Sequence, residues 1–384
     1  MVRVRLPFLR QWVYFHSMSR RTGYADLPLH GGRAPRWLFE RMVRLSREIL
    51  RHLTVEYGPS EILRRLSEPF WFQALGCVLG FDWHSSGVTT TTCGALKEAL
   101  KGQEREIGLF AAGGKGKVSL RTPVEIAVHC EPRGLDPASL VYASRMAAKV
   151  DSAGLQDGFQ VYHHSFFFTA DGAWSVVQQG LNDAVGTARR YHWLSAGLAS
   201  FVEEPHAAVV CDRRGRVLNL VAAESAGVRE RAVELAAKPD RETMRVVERL
   251  PQLILPRRHD IRAADINPKH LYKILLQTYE NPPQDFEQLL GMKGIGPAAL
   301  RALALTAEVI YGTPASTRDP ARFSFAHGGK DGIPYPVDLQ TYETTIEVLE
   351  KTLQRADVDR GEKVSALRRL ALFARSRESK ARSF

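Results

Sequence analysis

The chain is poor in cysteine. It has four in 384 residues, Cys77, Cys93, Cys130 and Cys211, with no CxxC pair. That spacing excludes a disulfide scaffold and a zinc ribbon, and predicts a cytoplasmic, reducing location. No apolar run approaches the ~20 residues of a membrane span, so no membrane partner is expected. The GxxxxGK[ST] phosphate loop is missing, which removes nucleoside triphosphates as expected ligands. The GxSxG elbow is missing too, and Cys77 and Cys93 lack a nearby histidine base pattern, so serine and thiol hydrolases find no support. Internal repeats and low-complexity blocks are absent. At 44% hydrophobic and 25% charged, the composition is that of a globular chain long enough for two or three domains.

Charge is scarce where a polyanion binder would be expected to carry it. The net charge is +11, but residues 1–21 hold five arginines and no acid, and residues 368–384 carry a net +5. The body between is within one charge of neutral. A nucleic-acid footprint must therefore be local: the two ends plus particular loops. Arginine outnumbers lysine 40 to 13, a bias that base composition or a hot habitat produces as readily as function does. Residues 1–19 are basic and apolar, yet Arg10 and Gln11 interrupt the apolar stretch and no small-residue cleavage site follows. They read as a non-structural extension from an over-called start rather than a targeting peptide.

Periodicity predicts a mixed α/β first domain over residues 20–250. Helices are expected over Ala34–Tyr57, Pro59–Leu66, Pro69–Leu79, Gly94–Lys101, Ser139–Val150, Arg229–Ala236 and Asp240–Arg249. The four threonines Thr89–Thr92 fit a strand or a helix entry. Ala111–Lys117 reads as a glycine-lysine loop and Val124–His129 as a short strand. Phe159–Phe168 and Trp174–Gln179 flank Asp171-Gly172, a strong hairpin signal. Ala207–Cys211 and Arg216–Val221 read as a second hairpin. Residues 251–262 are the expected linker, and 263–384 an all-α domain ending in a basic tail. The fold class is thus α+β.

The most specific motif lies in that last domain. Gln284–Leu290 and Pro297–Tyr311 are expected helices, joined through Gly291-Met-Lys-Gly-Ile-Gly296, and the string LLGMKGIGPAAL (289–300) matches a helix-hairpin-helix pattern. Gly294 and Gly296 allow a tight turn and close approach. Free amides at the second helix's start can then hold a DNA phosphate, with Lys293 and Arg301 adding charge. With the expected helix Pro268–Tyr279 before it and Ile333–Asp338 opening another after it, the region resembles the helix-hairpin-helix DNA glycosylases. That resemblance implies Asp338 as the residue that stabilises a sugar cation or activates water. Ala298 stands where lyase-type members carry lysine, so a monofunctional enzyme is the form implied.

The strings RTGYADLPLH (21–30), FDWHSSGV (81–88) and QDGFQVYHHSFF (156–167) resemble the domain of unknown function 763 family, which occurs in archaea and some thermophilic bacteria. The resemblance runs from about Arg20 to the end and implies no catalytic residues. The chemistry of the first domain must come from its own side chains. Asp82, His84, Asp151, Asp157 and His163 are the carboxylate and imidazole groups able to hold a hard cation, Mg²⁺ or Mn²⁺, with Asp151, Asp157 and His164 as catalytic candidates. A two-residue Asp171-Gly172 turn would place His164 across from Gln179 and Ser165 across from Gln178, with His163 on the opposite face. Gly114, Lys115 and Lys117 form a weaker phosphate cradle.

These features predict a DNA-processing enzyme of repair or maintenance: a divalent-metal nuclease that grips the backbone without sequence preference. The expected partner is DNA, single- or double-stranded, with RNA left open. The alternatives are a monofunctional glycosylase using Asp338 and a non-enzymatic DNA-binding scaffold.

Overall fold

The computed structural model describes residues 34–80, 87–183, 186–211, 214–237, 268–322 and 339–381, with four further residues between 245 and 249. The chain begins there with a helical layer: α1 (Arg36–Tyr57), α2 (Pro59–Ser67), α3 (Pro69–Leu79), α4 (Gly87–Leu100) and the single turn α5 (Glu104–Ile107). Met42, Leu45, Ile49 and Leu53 recur at helical spacing in α1 and are buried. Pro59 and Pro69 open α2 and α3 at first-turn positions, where proline's missing N–H is no loss.

The strands follow as β1 (Leu109–Lys115), β2 (Leu155–Gln156), β3 (Gln160–Thr169), β4 (Trp174–Asn182), β5 (Thr187–Leu194), β6 (Ala208–Val210) and β7 (Leu218–Asn219). Five form an antiparallel sheet in the order β1-β3-β4-β5-β6, and β2 pairs with β7. Helices α6 (Thr122–Cys130) and α7 (Ala138–Lys149) lie between β1 and β3, and a π-type turn, Val150–Gly154, ends α7. The remaining helices are α8 (Ala226–Ala237), α9 (Pro268–Glu280), α10 (Phe286–Gly291), α11 (Pro297–Tyr311), α12 (Leu339–Arg355) and α13 (Arg360–Ala381).

The sheet is covered on both faces, so its central strands are buried nearly throughout rather than alternating between buried and exposed positions. On one face Phe110, Phe166, Phe168, Val176, Tyr191 and Trp193 pack with residues of α7, α8, α10 and α11. On the other, Phe167 and Val177 pack under α1, α3 and α4, together with Leu349 and Leu353 of α12 and Leu370 and Phe373 of α13. The C-terminal third is helical, as its periodicity predicts, and its helices are shared between the two cores.

Four local expectations are corrected. Val124–His129 belongs to helix α6, not a strand. Val124, Ile126 and Val128 mimic alternation, but Thr122, Ile126 and Cys130 are buried at helical spacing, Val124 and Val128 are exposed, and Pro123 sits in the first turn. Most of the glycine-lysine stretch is strand: Ala111–Lys115 belongs to β1, paired with β3, and Gly116 and Lys117 open a 3₁₀ turn. The second hairpin does not form: β6 pairs with β5 and β7 with β2. The first hairpin forms in a different register. Gly172 takes φ +87° and its N–H donates to the Thr169 carbonyl, while the Thr169 N–H donates to the Ala173 carbonyl. This is a three-residue loop with a left-handed glycine, not a two-residue turn. His164 therefore faces Gln178, and His163 faces Gln179. The extension 1–19, the linker 251–262, six of the ten residues of Asp240–Arg249 and the segment Ile333–Asp338 lie outside the described residues.

Candidate functional site

One face of the sheet carries a continuous buried polar chain. His206 Nε2 donates to Asp151 Oδ1 at 2.5 Å, and Asp151 Oδ2 accepts from Trp193 Nε1 at 3.0 Å and Gln178 Nε2 at 2.5 Å. Because the Gln178 amide also donates to the Ala147 carbonyl, its oxygen must accept from His164 Nδ1, 2.8 Å away. That leaves His164 Nε2 as an acceptor for the Ser144 hydroxyl at 2.9 Å. A serine, a histidine base and an orienting group are thus arranged as in nucleophilic enzymes. Ser144 and His164 are, however, only 3% and 4% exposed, and the chain fills the space between α7 and the sheet.

Asp157 sits in a second network. Its Oδ2 accepts from Arg189 Nη1 at 2.9 Å and from the Tyr191 hydroxyl at 2.7 Å, and its Oδ1 from the Phe159 N–H. Arg189 also pairs with Asp319, 2.7 Å away. Burial opposes the Arg189 charge, yet Asp157 and Asp319 outweigh it and hold the guanidinium pKa well above its ordinary value. This network ties the sheet to the segment after α11.

The opposite face holds His163, Gln179, Arg190 and His192. Gln179 Nε2 donates to the Tyr162 hydroxyl at 2.6 Å, and His192 Nδ1 donates to the Leu66 carbonyl at 2.8 Å. Burial pushes Arg190 down to about 9. Burial first, then His164 and the Lys115 ammonium, push His163 down to about 3. His164 is lowered by burial against the opposing bond to Gln178, and His192 by burial and the neighbouring Arg190.

A pH dependence follows with a definite sign. Above about pH 6.5 His163 is neutral whether folded or not and contributes nothing. Between pH 6.5 and 3 the unfolded chain binds a proton there that the folded chain refuses. Stability therefore falls as pH drops, by about 1.4 kcal/mol per pH unit for this one group. Urea midpoints at pH 7, 6 and 5 should show a shallower decline in His163→Leu than in the parent; equal declines would refute the assignment.

The expected ligand set does not come together among the described residues. Asp151 and Asp157 are each occupied by their own donors, and His163 lies on the other face of the sheet from His164 and Gln178. Among the described residues no three His, Cys, Asp or Glu side chains converge as a metal site would require. Asp82, His84 and Asp338 lie outside the described residues. The expected cradle at Gly114, Lys115 and Lys117 is a strand end and a short 3₁₀ turn. At its base the Gly113 N–H donates to the Glu125 carboxylate, a group that repels phosphate. Lys115 lies over the Tyr162 ring at 5.8 Å and Lys117 is exposed.

Helices α10 and α11 form within two residues of their expected bounds, and residues 292–296 join them. Asp285 caps α10 by accepting from the Gln288 N–H. Gly294 takes φ +91°, and Pro297 opens α11. Gly296 is extended, at φ −130°, with open space where a Cβ would stand. Only Gly294 needs glycine for its own backbone. Three carbonyls of the turn are taken by side chains: Lys149 Nζ holds that of Ile295 at 2.6 Å, Gln277 that of Lys293 at 3.1 Å, and Gln156 that of Pro297 at 3.0 Å. Burial lowers the Lys149 pKa. The first amides of α11, which no helix satisfies internally, stand beside exposed Lys293 and Gly294, with Arg301 one turn on and half-buried. The basic C-terminal run begins inside α13, where Arg369 donates twice to the Val78 carbonyl and is not free for a ligand.

Sequence reasoning missed Lys149, Gln277, Gln156, Trp193 and His206. Each acts across more than a dozen residues of chain, and no local pattern marks it.

The architecture is that of an α+β protein with an antiparallel sheet between two helical layers. The chain belongs to the family described as protein of unknown function (DUF763), whose profile matches residues 23–337. Searches of curated proteins and of solved structures each find no significant match. Among the described residues no helix is long and apolar enough to cross a membrane.

Proposed function

We propose that this protein binds DNA through its phosphodiester backbone, without reading bases, at the turn between α10 and α11. One observation supports it above the rest. Lys149, Gln277 and Gln156 occupy carbonyls of the hairpin, which leaves the partial positive charge of the α11 N-terminus beside exposed Lys293. A helix-hairpin-helix of this kind positions a phosphate and is indifferent to sequence. Nuclease or glycosylase chemistry is not part of the proposal: Asp151 and Asp157 are held by other side chains, and Asp82, His84 and Asp338 lie outside the described residues.

Gly296→Val separates binding from folding. The site has room for the side chain and an extended backbone that valine accepts, so the melting temperature should hold. A phosphate could no longer approach the amides, so affinity for every DNA sequence should fall together. Lys293→Ala should reduce the slope of log K against log salt by about 1, one counterion per lost contact. If Gly296→Val binds across a salt titration as the parent does, the turn is a structural corner. Incubating the same DNA with Mg²⁺ or Mn²⁺, with and without EDTA, shows whether bound DNA is also cut.

A further inference from the structure

The 3₁₀ turn Gly116–Arg121, helix α6 and the 3₁₀ turn Glu131–Arg133 follow one another without a break. Leu120, Val124 and Val128 stand at i, i+4 and i+8 along this stretch and are 80%, 60% and 60% exposed. They lie across the helix from Thr122, Ile126 and Cys130, its buried side. Single apolar side chains are ordinary on a protein surface, but a contiguous row is where one protein meets another surface. Ala127, partly exposed beside the row, lets a second helix lie close. The charges along the stretch say what covers it. Lys117 and Arg121 are exposed at its start and Glu131 at its end, and none of the three makes an ion pair among the described residues. Glu125, the other acid of the stretch, turns away to Lys97 Nζ and the Gly113 N–H, and Arg133 turns to the Phe110 ring.

We propose that two copies of this chain associate through α6, antiparallel about a two-fold axis at Val124. A two-fold makes one patch serve both partners, so the patch must complement itself. A row that is apolar in the middle, basic at one end and acidic at the other meets that condition when its copy runs antiparallel. Val124 then meets its own counterpart at the axis. Leu120 lies against Val128 of the second copy, and Lys117 against Glu131 of the second copy. In each pair one member precedes Val124 by as many residues as the other follows it. The apolar contacts form the centre of the interface, and an ion pair closes each end. A nucleic acid would gain nothing from a leucine and two valines, and would meet Glu131 as well as Lys117. The pairing is independent of whether the α10–α11 turn binds DNA.

The test is sedimentation equilibrium of the full chain over a range of concentrations. The parent should show a monomer–dimer equilibrium. Val124→Glu sets two carboxylates against each other across the axis and should raise the dissociation constant about a hundredfold or more. Its far-UV circular dichroism should match the parent's, because residue 124 is exposed in the single chain. Lys117→Glu and Glu131→Lys should each weaken the dimer several-fold. Combining Lys117→Glu with Glu131→Lys should restore the parent's constant, since each exchanged residue then meets an exchanged partner. Only a contact between position 117 of one copy and position 131 of the other produces that recovery. A parent that stays monomeric throughout overturns the proposal, as does a dimer that Val124→Glu leaves intact. A dimer that Val124→Glu breaks, but that stays weak in the combined charge variant, overturns the antiparallel arrangement.

Discussion

Replacing Asp151 with alanine should cost about 3–5 kcal/mol of folding free energy, as expected when a buried charged group is removed from its partners. Asp151 is fully buried, and its two oxygens take hydrogen bonds from Gln178, Trp193 and His206. Alanine leaves all three donors facing an apolar gap, and each unsatisfied donor costs about 1–3 kcal/mol, the sum being reduced where side chains relax. Asparagine is no remedy, because its NH₂ group must then meet a donor. His206→Ala should cost less, since His206 sits at the rim and its loss still leaves the carboxylate two donors. Urea denaturation of the three variants ranks them. If Asp151→Ala falls within 1 kcal/mol of the parent, the chain of bonds from His206 to Ser144 does not hold the fold, and a chemical role for its members becomes the better account.

Gly113→Ala should destabilise by about 3 kcal/mol or more, for two reasons that add. Gly113 has φ +85°, a region that costs other residues about 1–2 kcal/mol. A Cβ there would also lie 2.2 Å from the His164 carbonyl oxygen and 2.6 Å from Thr122 Oγ1, and the first of these is backbone that cannot swing aside. Relief requires β1 to draw away from β3. That movement would also strain the bonds from Lys97 Nζ to the Gly113 carbonyl and from the Gly113 N–H to Glu125. Gly116→Ala is the control. Gly116 has φ +60° but nothing within 4 Å of its Cβ position, so only the backbone penalty remains. Thermal unfolding should separate the two variants by several degrees. Equal melting temperatures would show that the clash is absorbed.

The helices were legible because their causes are local. Proline at the first turn and apolar residues three and four apart delimit α2, α3 and α11 to within a residue, and nothing distant has to agree. The turn between α10 and α11 was legible for the same reason: Gly294 and Pro297 dictate it over four residues. Where two local signals compete, neighbours decide. Val124, Ile126 and Val128 alternate like a strand, and the burial of Thr122, Ile126 and Cys130 against the sheet makes them a helix.

Sheet pairing lay beyond that reach. The Asp-Gly signal placed a hairpin correctly, but loop length sets register, and one residue more in the loop moved every cross-strand partner by one. That single step put His164 with Gln178 and hence with Asp151, and left His163 with Gln179 on the other face. Asp151 meets His206 across 55 residues of chain, Tyr142 meets Glu287 across 145, and α13 reaches back to α3 across 291. By itself the sequence determined helices such as α2, α3 and α11, the turn at Asp171-Gly172, and that a glycine-rich corner opens α11. Only the tertiary structure decided which strands pair, that Asp151 and Asp157 are already occupied, and that Lys149 and Gln277 hold that corner's carbonyls. Hydrogen bonds and ion pairs reward proximity in space, and proximity across a hundred residues is set by packing rather than by any pattern along the chain.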